Sequence, residues 1–302
     1  MTFLKGTHLD ELIRLAFEED VGEADVTSSL LVDPTLCAKA EVVSKSEGIL
    51  CGLFLLEKIF AWPERLNAGR LITKSDFQDG SGLRKGDVVV RIQGPLQSIL
   101  KIERVALNFL GRLSGIATLT HQFVKEVKGL SVDIMDTRKT IPGFRFLEKY
   151  AVKIGGGKNH RFGLYDGVLI KENHLIATQG VKAALETIHK KAKKKMTVEI
   201  EVKNLKEVKE ALDAKADILL LDNFSISDVK EALALIGKRA LTEVSGGIHL
   251  TNVRRYAETG VNRISIGALT HSAPNFDFSL LCSLPKDINL KKSHRPMIQP
   301  LS

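Results

Sequence analysis

Residues Thr197 to Asn223, TVEIEVKNLKEVKEALDAKADILLLDN, hold one full turn of the pattern that sets the fold. TVEIEV and DILLLDN are short β-branched and aliphatic runs, and LKEVKEALDAKA between them spaces its apolar residues as a helix does. Two parallel strands need a crossover of about a dozen residues, and that helix supplies it.

The same rhythm extends both ways from Val132 onward. Strands are read in SVDIMDT, GVLIKEN, TVEIEV, DILLLDN, ALTEVSGG and RISIGAL, and helices in FRFLEKYAVKIG, VKAALETIHKKAK, LKEVKEALDAKA, SDVKEALALIG and LTNVRRYAETG. Right-handed βα units of this kind curl toward a barrel. Six strands fall short of a closed ring, so the expectation is an α/β fold with an open or incomplete, TIM-like parallel barrel, with room for a seventh strand that the pattern hides.

Upstream the texture differs. His8 to Glu19 read as an amphipathic helix with Leu9, Leu12, Ile13, Ala16 and Phe17 on one face. AKAEVVSK, GILCG and GDVVVRIQG alternate as short strands, and LFLLEKIFAW is apolar enough for a buried helix. These pieces predict an N-terminal α+β sandwich. The stretch KIERVALNFLGRLSGIATLTHQFVKEVKG is a long helix, expected to bend or break near Ser114-Gly115, and it carries Arg104 and Arg112. The expected division is 1–115 for the α+β domain and 116–271 for the barrel, with 272–302 rejoining the first domain.

Composition narrows the classes. The chain has 302 residues, of which 44% are hydrophobic, which suits a globular core and not disorder. The first residues, MTFLKGTHLDELIRLAFEED, lack the pattern of a secretory signal, and no apolar run is long enough for a membrane span. Cys37, Cys51 and Cys282 form no C-x-x-C pair, so neither a disulfide framework nor a zinc knuckle is indicated and a reducing cytoplasm is expected. A net charge of +8 and a pI near 9.3 invite a nucleic-acid reading, through KKAKKK at Lys190–Lys195 and KKSHRP at Lys291–Pro296. That reading is set aside. The first run closes a helix expected over Val181–Lys194, where cations suit the dipole, the second lies in a poorly patterned tail, and no aromatics interleave with either. A basic enzyme for acidic small molecules explains the charge equally well.

The chemistry lies at the strand ends. They read Asp136-Thr137-Arg138-Lys139, Lys171-Glu172-Asn173-His174, Glu199 and Glu201, Asp222-Asn223, Ser245-Gly246-Gly247 and Gly267-Ala268. In a barrel these converge on the C-terminal rim, where active sites are built. Within Asp136–His174 the cations Arg138, Lys139, Arg145, Lys149, Lys153, Lys158, Arg161 and Lys171 cluster with His160 and His174. Arg grips a carboxylate or phosphate through two hydrogen bonds, and Lys adds a point charge.

The rim sorts by charge. Arg138, Lys139, Arg161 and Lys171 form a cationic half, Glu201 and Asp222 supply acids, and Gly246-Gly247 with Gly267 would let backbone N–H groups approach a phosphate, next to a helix start near Leu250-Thr251. Glu201 and Asp222 could act as acid and base, hold sugar hydroxyls, or bind Mg²⁺ directly or through water. Glu199 shares a strand face with Glu201 and is the more structural of the two by its distance from the rim. His160 is open between a base, a donor to an anion and a loop residue; His174 between a cap and a donor. Gly155-Gly156-Gly157 lacks the strand and spacing of a dinucleotide loop and reads as a turn folding Lys158, Asn159 and His160 over the pocket. No H-E-x-x-H or G-x-S-x-G supports zinc or serine hydrolysis.

Several blocks also resemble the quinolinate phosphoribosyltransferases: EDVGEADVTS, ERVALNFLGRLSGIAT, DTRKTIPGFRFLEKYAVKIGGGKNHRFGL, IKENH, VEIEV, LLLDN, EVSGGI and SIGALTHSAPNFDFSL, colinear from Glu19 to Leu281. The resemblance implies transfer of phosphoribosyl from 5-phosphoribosyl 1-diphosphate to quinolinate with Mg²⁺, giving nicotinate mononucleotide, CO₂ and diphosphate for NAD synthesis. It implies Arg138, Lys139, His160 and Arg161 around the quinolinate carboxylates, Lys171 between the substrates, and Thr137 among the substrate-binding residues. Glu201 and Asp222 would serve the ribose and Mg²⁺, and Ser245–Gly247 with Gly267 and Ala268 the 5-phosphate. Lys139, Lys171, Glu201 and Asp222 are the expected catalytic set. A homodimer is implied, with Arg104 donated across the interface. Ile141 and Ala24 depart from the pattern by a missing Thr and a missing Gly, neither of which removes a charge.

Overall fold

The structure, a computed structural model, describes residues 6–65, 69–192 and 196–284. The basic run Lys291–Pro296 lies outside them, as do Lys193–Lys195 of the run Lys190–Lys195. The chain divides into two compact units, one holding the residues up to Gly115 with those from Asn275, the other Ile116–Pro274.

In the first unit the elements run α1 (Gly6–Asp20), α2 (Val26–Leu31), β1 (Cys37–Ser44), β2 (Gly48–Ile49), α3 (Leu53–Phe60), α4 (Trp62–Arg65), β3 (Ile72–Lys74), β4 (Gly82–Leu83), β5 (Val88–Pro95) and the start of α5 (Leu96–Glu126), whose residues from Ile116 belong to the second. Along β1, Ala38, Ala40, Val42 and Ser44 are buried while their neighbours are not, the two-residue alternation of a strand with one covered face. α3 buries Leu55, Leu56, Ile59 and Phe60. The expected break at Ser114-Gly115 does not occur: α5 is one uninterrupted helix of 31 residues. Ser114 is spent elsewhere. Its hydroxyl accepts from the Cys51 N–H at 3.0 Å and donates to the Cys51 carbonyl at 3.2 Å, so it bonds across to the neighbouring turn instead of unwinding its own helix.

The second unit follows as β6 (Asp133–Met135), α6 (Arg145–Ile154), β7 (Val168–Ile170), α7 (Glu172–Leu175), α8 (Val181–Lys191), β8 (Val198–Val202), α9 (Leu205–Asp213), β9 (Ile218–Asp222), α10 (Ile226–Ile236), β10 (Leu241–Ser245), α11 (Val253–Ala257), β11 (Arg263–Ser265) and α12 (Ala268–His271). Its strands form one parallel sheet in the order β6-β11-β10-β9-β8-β7, the open barrel that the pattern predicts. Beyond β6, Met135 and Lys158 form a single parallel bridge, all there is of a further strand among the described residues. The chain then returns to the first unit as β12 (Phe278–Ser283), which pairs antiparallel with β1 and completes a sheet in the order β12-β1-β5-β3.

Local signals place the barrel helices. Asn204 caps α9 by accepting the Glu207 N–H at 3.0 Å, and Ser225 caps α10 through the Asp228 N–H at 3.2 Å. Val208 and Ala211 of α9, with Val229, Ala232 and Ile236 of α10, have no exposed surface. Ile200, Leu219 and Leu221 are equally buried in the sheet. Each of these Val, Leu and Ile side chains contributes roughly 1.5–3 kcal/mol by leaving water. Among the described residues no helix is long and apolar enough to cross a membrane. Ile200→Ala should therefore lower unfolding free energy by about 2–5 kcal/mol, read as a shift in denaturant midpoint at unchanged slope; a loss within a few tenths would mean the sheet interior is not packed as described.

Candidate active site

The C-terminal ends of the barrel strands enclose a cleft of about 770 Å³. Thr137, Arg138, Lys139, His160, Arg161, Lys171, Glu201, Asp222, Ser245, Gly246, Gly247, Gly267 and Ala268 all line it, so the barrel residues that the resemblance assigns to the substrates converge there. Arg104 belongs to the first unit, on α5, with its side chain 60% exposed and its guanidinium 3.5 Å from Glu103.

The eight cations of the Asp136–His174 stretch do different jobs. Lys149 is buried against Asp136, to which it donates, and also donates to the His160 carbonyl at 2.9 Å. Burial pushes the Asp136 pKa up and the Lys149 pKa down, and their mutual attraction opposes both shifts. Arg145 reaches Thr140 Oγ1 and the Phe162 carbonyl, both at 3.0 Å, and so ties two loops together. Lys158 pairs with Asp133 at 2.8 Å, and Asn159 donates to Asp136 and to the Lys149 carbonyl. The glycine turn therefore does not fold Lys158 and Asn159 over the pocket; of the three residues after it, His160 lines the cleft. Gly155 and Gly157 are there for packing, since a Cβ at Gly155 would stand 2.4 Å from the Ala117 carbonyl and one at Gly157 2.8 Å from Val152.

What remains in the cleft is a compressed cationic wall. Arg161 Nη1 donates to the Gly167 carbonyl at 2.8 Å, yet Nε of both Arg138 and Arg161 is buried without a partner. Burial, then the charge of Arg138, pushes the Arg161 pKa down. Two guanidiniums lining one cleft, each with a buried Nε that has no partner, are arranged for an anion. On the opposite side Glu201 lies 3.9 Å from Lys171, and burial followed by the charge of Asp222 raises its pKa.

The glycine end completes the rim. Gly246 and Gly247 have φ of 94° and 62°, in the left-handed region. A Cβ on Gly267 would meet His271 Nε2 and Lys139 Cδ, each at 3.1 Å. The Thr270 hydroxyl donates to the Lys139 carbonyl at 2.7 Å, fixing the Lys139 loop to α12. The helix after Gly247 starts at Val253, later than the expected Leu250-Thr251; Asn252 fills the interval by accepting from the His249 N–H at 2.8 Å and donating to the Gly247 carbonyl at 2.9 Å. His174 is a cap: its Nδ1 accepts the Lys171 N–H at 2.9 Å.

Two family models match this architecture, the quinolinate phosphoribosyl transferase N-terminal domain over residues 25–114 and the corresponding C-terminal domain over residues 116–281. The chain belongs to the quinolinate phosphoribosyltransferase family. It is 40% identical over 279 residues to a probable carboxylating nicotinate-nucleotide pyrophosphorylase of Bacillus subtilis, covering 92% of this chain and 95% of the relative. A protein of the same description from Methanocaldococcus jannaschii is also 40% identical, over 89% of this chain and 95% of its own. The crystal structure of NadC from Streptococcus pyogenes superposes with a TM-score of 0.88 at 36% identity, covering 94% of this chain and all of that one.

In this member of the quinolinate phosphoribosyltransferase family the cleft also contains Asn223, Glu243, His249, Ser265 and His271, to which the sequence alone assigns no role. Strand alternation was a usable signal for two of them, because Glu243 and Ser265 precede Ser245 and Gly267 by two residues and face the same way. His160 Nε2 lies 3.0 Å from Glu199 and 3.6 Å from Glu243, and Ser265 donates to Glu243. These atoms could hold an ion on distance alone. The Arg161 N–H, however, donates to His160 Nδ1 at 2.8 Å, so the neutral ring keeps its proton on Nε2 and gives it to Glu199. A nitrogen bearing that proton is not a metal ligand, and both ring nitrogens are engaged within the protein. Burial lowers the His160 pKa, but the bond to Glu199 and the charges of Glu199 and Glu243 raise it further, for a net upward shift.

Burial and the charge of Glu199 push Glu243 up to about 7 from its ordinary 4.5. The folded state therefore holds a proton that the unfolded chain has released, so this group favours folding less and less as pH rises from about 4.5 to 7, a cost of order 3 kcal/mol above that window. Glu243→Gln, which imitates the protonated acid, should raise the melting temperature by several degrees at pH 8.5 and by little at pH 5. An increment that does not change with pH would show that Glu243 carries no such proton.

Proposed function

We propose that this chain transfers the 5-phosphoribosyl group of 5-phosphoribosyl 1-diphosphate to quinolinate and releases CO₂ and diphosphate, leaving nicotinate mononucleotide for NAD synthesis. The observation that carries the reading is the partly unpartnered guanidiniums of Arg138 and Arg161 lining the same cleft as the acids Glu201 and Asp222. Quinolinate presents two adjacent carboxylates that repel each other, and a wall of several cations is what holds such a dianion. Thr137 steadies that wall by accepting the Lys139 N–H at 3.1 Å. Lys171, beside Glu201, stands where the two substrates meet.

In the reaction the quinolinate nitrogen attacks C1 of the ribose as the bond to diphosphate breaks and its electron pair leaves with diphosphate. Positive charge builds on the sugar, and Glu201 and Asp222 stabilise it while orienting the ribose hydroxyls. Departing CO₂ leaves its bonding electron pair on the ring carbon beside the quaternised nitrogen, whose positive charge stabilises it until that carbon takes a proton from solvent, so the second step asks the protein chiefly for position and fixed charge. Ser245, Gly246, Gly247, Gly267 and Ala268 receive the 5-phosphate.

The carboxylates of Glu201 and Asp222, close enough for one to raise the other's pKa, fit a divalent cation held directly or through water. Mg²⁺ there would neutralise the departing diphosphate. We further propose a homodimer in which the exposed Arg104 of one protomer enters the cleft of its partner, and a cytoplasmic setting, supported by three unpaired cysteines.

With quinolinate, phosphoribosyl diphosphate and Mg²⁺, CO₂ and nicotinate mononucleotide should appear in equal amounts, and nicotinate or nicotinamide should not substitute. Folded protein that binds phosphoribosyl diphosphate but yields neither product would overturn the assignment of acceptor. Arg138→Ala should reduce turnover by roughly 10²–10³ with an unchanged melting temperature. For the dimer, chains carrying Arg104→Ala and chains carrying Lys171→Ala, each inactive, should regain part of the activity on mixing; no recovery after verified subunit exchange would rule out the donated arginine.

A further inference from the structure

Asn223 stands between the acid half and the glycine half of the cleft and touches both. In the sheet Asp222 is the direct partner of Ser245, and the Asn223 N–H donates to the Ser245 carbonyl at 2.9 Å, one step past the end of the pairing. Asn223 has φ of 57°, one of two non-glycine residues with positive φ among those described. Asn adopts that left-handed conformation more readily than most residues, and it bends the chain sharply back over the strand end. The bend is held from below. Phe224 is buried, its carbonyl accepts the Tyr256 hydroxyl at 3.1 Å, and Ser225 caps α10.

The side chain then bridges the two halves. Nδ2 donates to Asp222 Oδ2 at 2.7 Å, fixing one oxygen of that carboxylate and leaving the other to the cleft. The amide oxygen is turned toward the glycine turn and fills the space that a side chain at 246 would need. A Cβ on Gly246 would lie 2.1 Å from Oδ1 and 2.6 Å from Cγ of Asn223. Gly246 thus has two reasons to be glycine, its φ of 94° and the amide pressed against it.

We propose that Asn223 is a positioning residue that sets the Asp222 carboxylate and the Ser245–Gly247 turn as one rigid unit, so that the ribose and the 5-phosphate of one substrate are received in fixed register. The proposal rests on the phosphoribosyl-transfer reading and adds to it a residue that would act through Asp222 and Gly246. It makes the sugar-phosphate half of the cleft depend on Asn223 and leaves the cationic wall of Arg138 and Arg161 untouched.

The test uses the full chain, with calorimetric binding of ribose 5-phosphate and of quinolinate measured separately without metal, and with steady-state kinetics beside them. Asn223→Gly keeps the left-handed backbone and removes the bridge; Asn223→Asp keeps the shape and replaces the Nδ2 donor by a second carboxylate. In both, ribose 5-phosphate binding should weaken at least tenfold and KM for phosphoribosyl diphosphate should rise in step. Quinolinate binding should stay within twofold and the melting temperature within a few degrees. Gly246→Ala should be at least tenfold less damaging in the Asn223→Gly background than in the wild type, because the obstructing amide is gone. Equal weakening of both ligands, full function in Asn223→Asp, or losses that simply multiply in the double variant would each overturn the proposal. Failure of the wild type to bind either ligand would take the phosphoribosyl-transfer reading down first and this proposal with it; wild-type binding with an unaltered Asn223→Gly profile would overturn this proposal alone.

Discussion

The buried ion pair between Lys149 and Asp136 holds the cationic wall in place. Asp136 directly follows β6 and receives Lys149, the Asn159 amide and the His160 N–H, the last at 2.8 Å. One carboxylate thereby joins a strand end, a helix and the turn that delivers His160 and Arg161. Such a pair is costly to desolvate and adds little net stability compared with an apolar replacement, but removing one partner strands a charge in the interior at about 3–5 kcal/mol. Its value is geometric. The two arginines that face the cleft could not be set at hydrogen-bonding precision by loops alone.

A second layer of fixed polarity lies beneath the cleft. His160, Glu199, Glu243 and Ser265 come from a loop and three different strands and share hydrogen bonds beside the aliphatic side chains of the sheet. The imidazole of His160 and the hydroxyl of Ser265 supply the partners of the two buried acids. The Arg161 N–H on His160 Nδ1 links this layer to the wall above it, so the orientation of the imidazole and the path of the backbone at Arg161 are set together.

Much of this was legible in the sequence because the barrel obeys local rules. All six strands and four of the five patterned helices appear where period and turn chemistry put them, and the fifth, α11, starts later than its pattern suggests. The strand ends announced the rim, since six aliphatic runs that each finish on charge, hydroxyl or glycine bring that polarity to one face once the strands lie parallel. Division of labour among the cations was not legible. By residue type and spacing Lys149, Arg145 and Lys158 resemble Arg138 and Arg161, and only tertiary placement shows that Lys149 is buried and Lys158 faces Asp133. The uninterrupted course of α5 was missed for the opposite reason: Ser114-Gly115 is a local helix-weakening signal, and a hydrogen bond to Cys51, 63 positions away in sequence, overrides it.

The interlock of Asn223 with Gly246 also bears on how such a sequence can drift. A larger residue at 246 collides with the amide, and a residue at 223 without the amide leaves an unsupported carboxylate beside an empty space. The two positions therefore constrain each other, and a paired replacement could preserve the shape of the turn. Divergence at this corner of the cleft is thus gated by two coordinated substitutions, while the helix surfaces on the far side of the sheet can change one residue at a time.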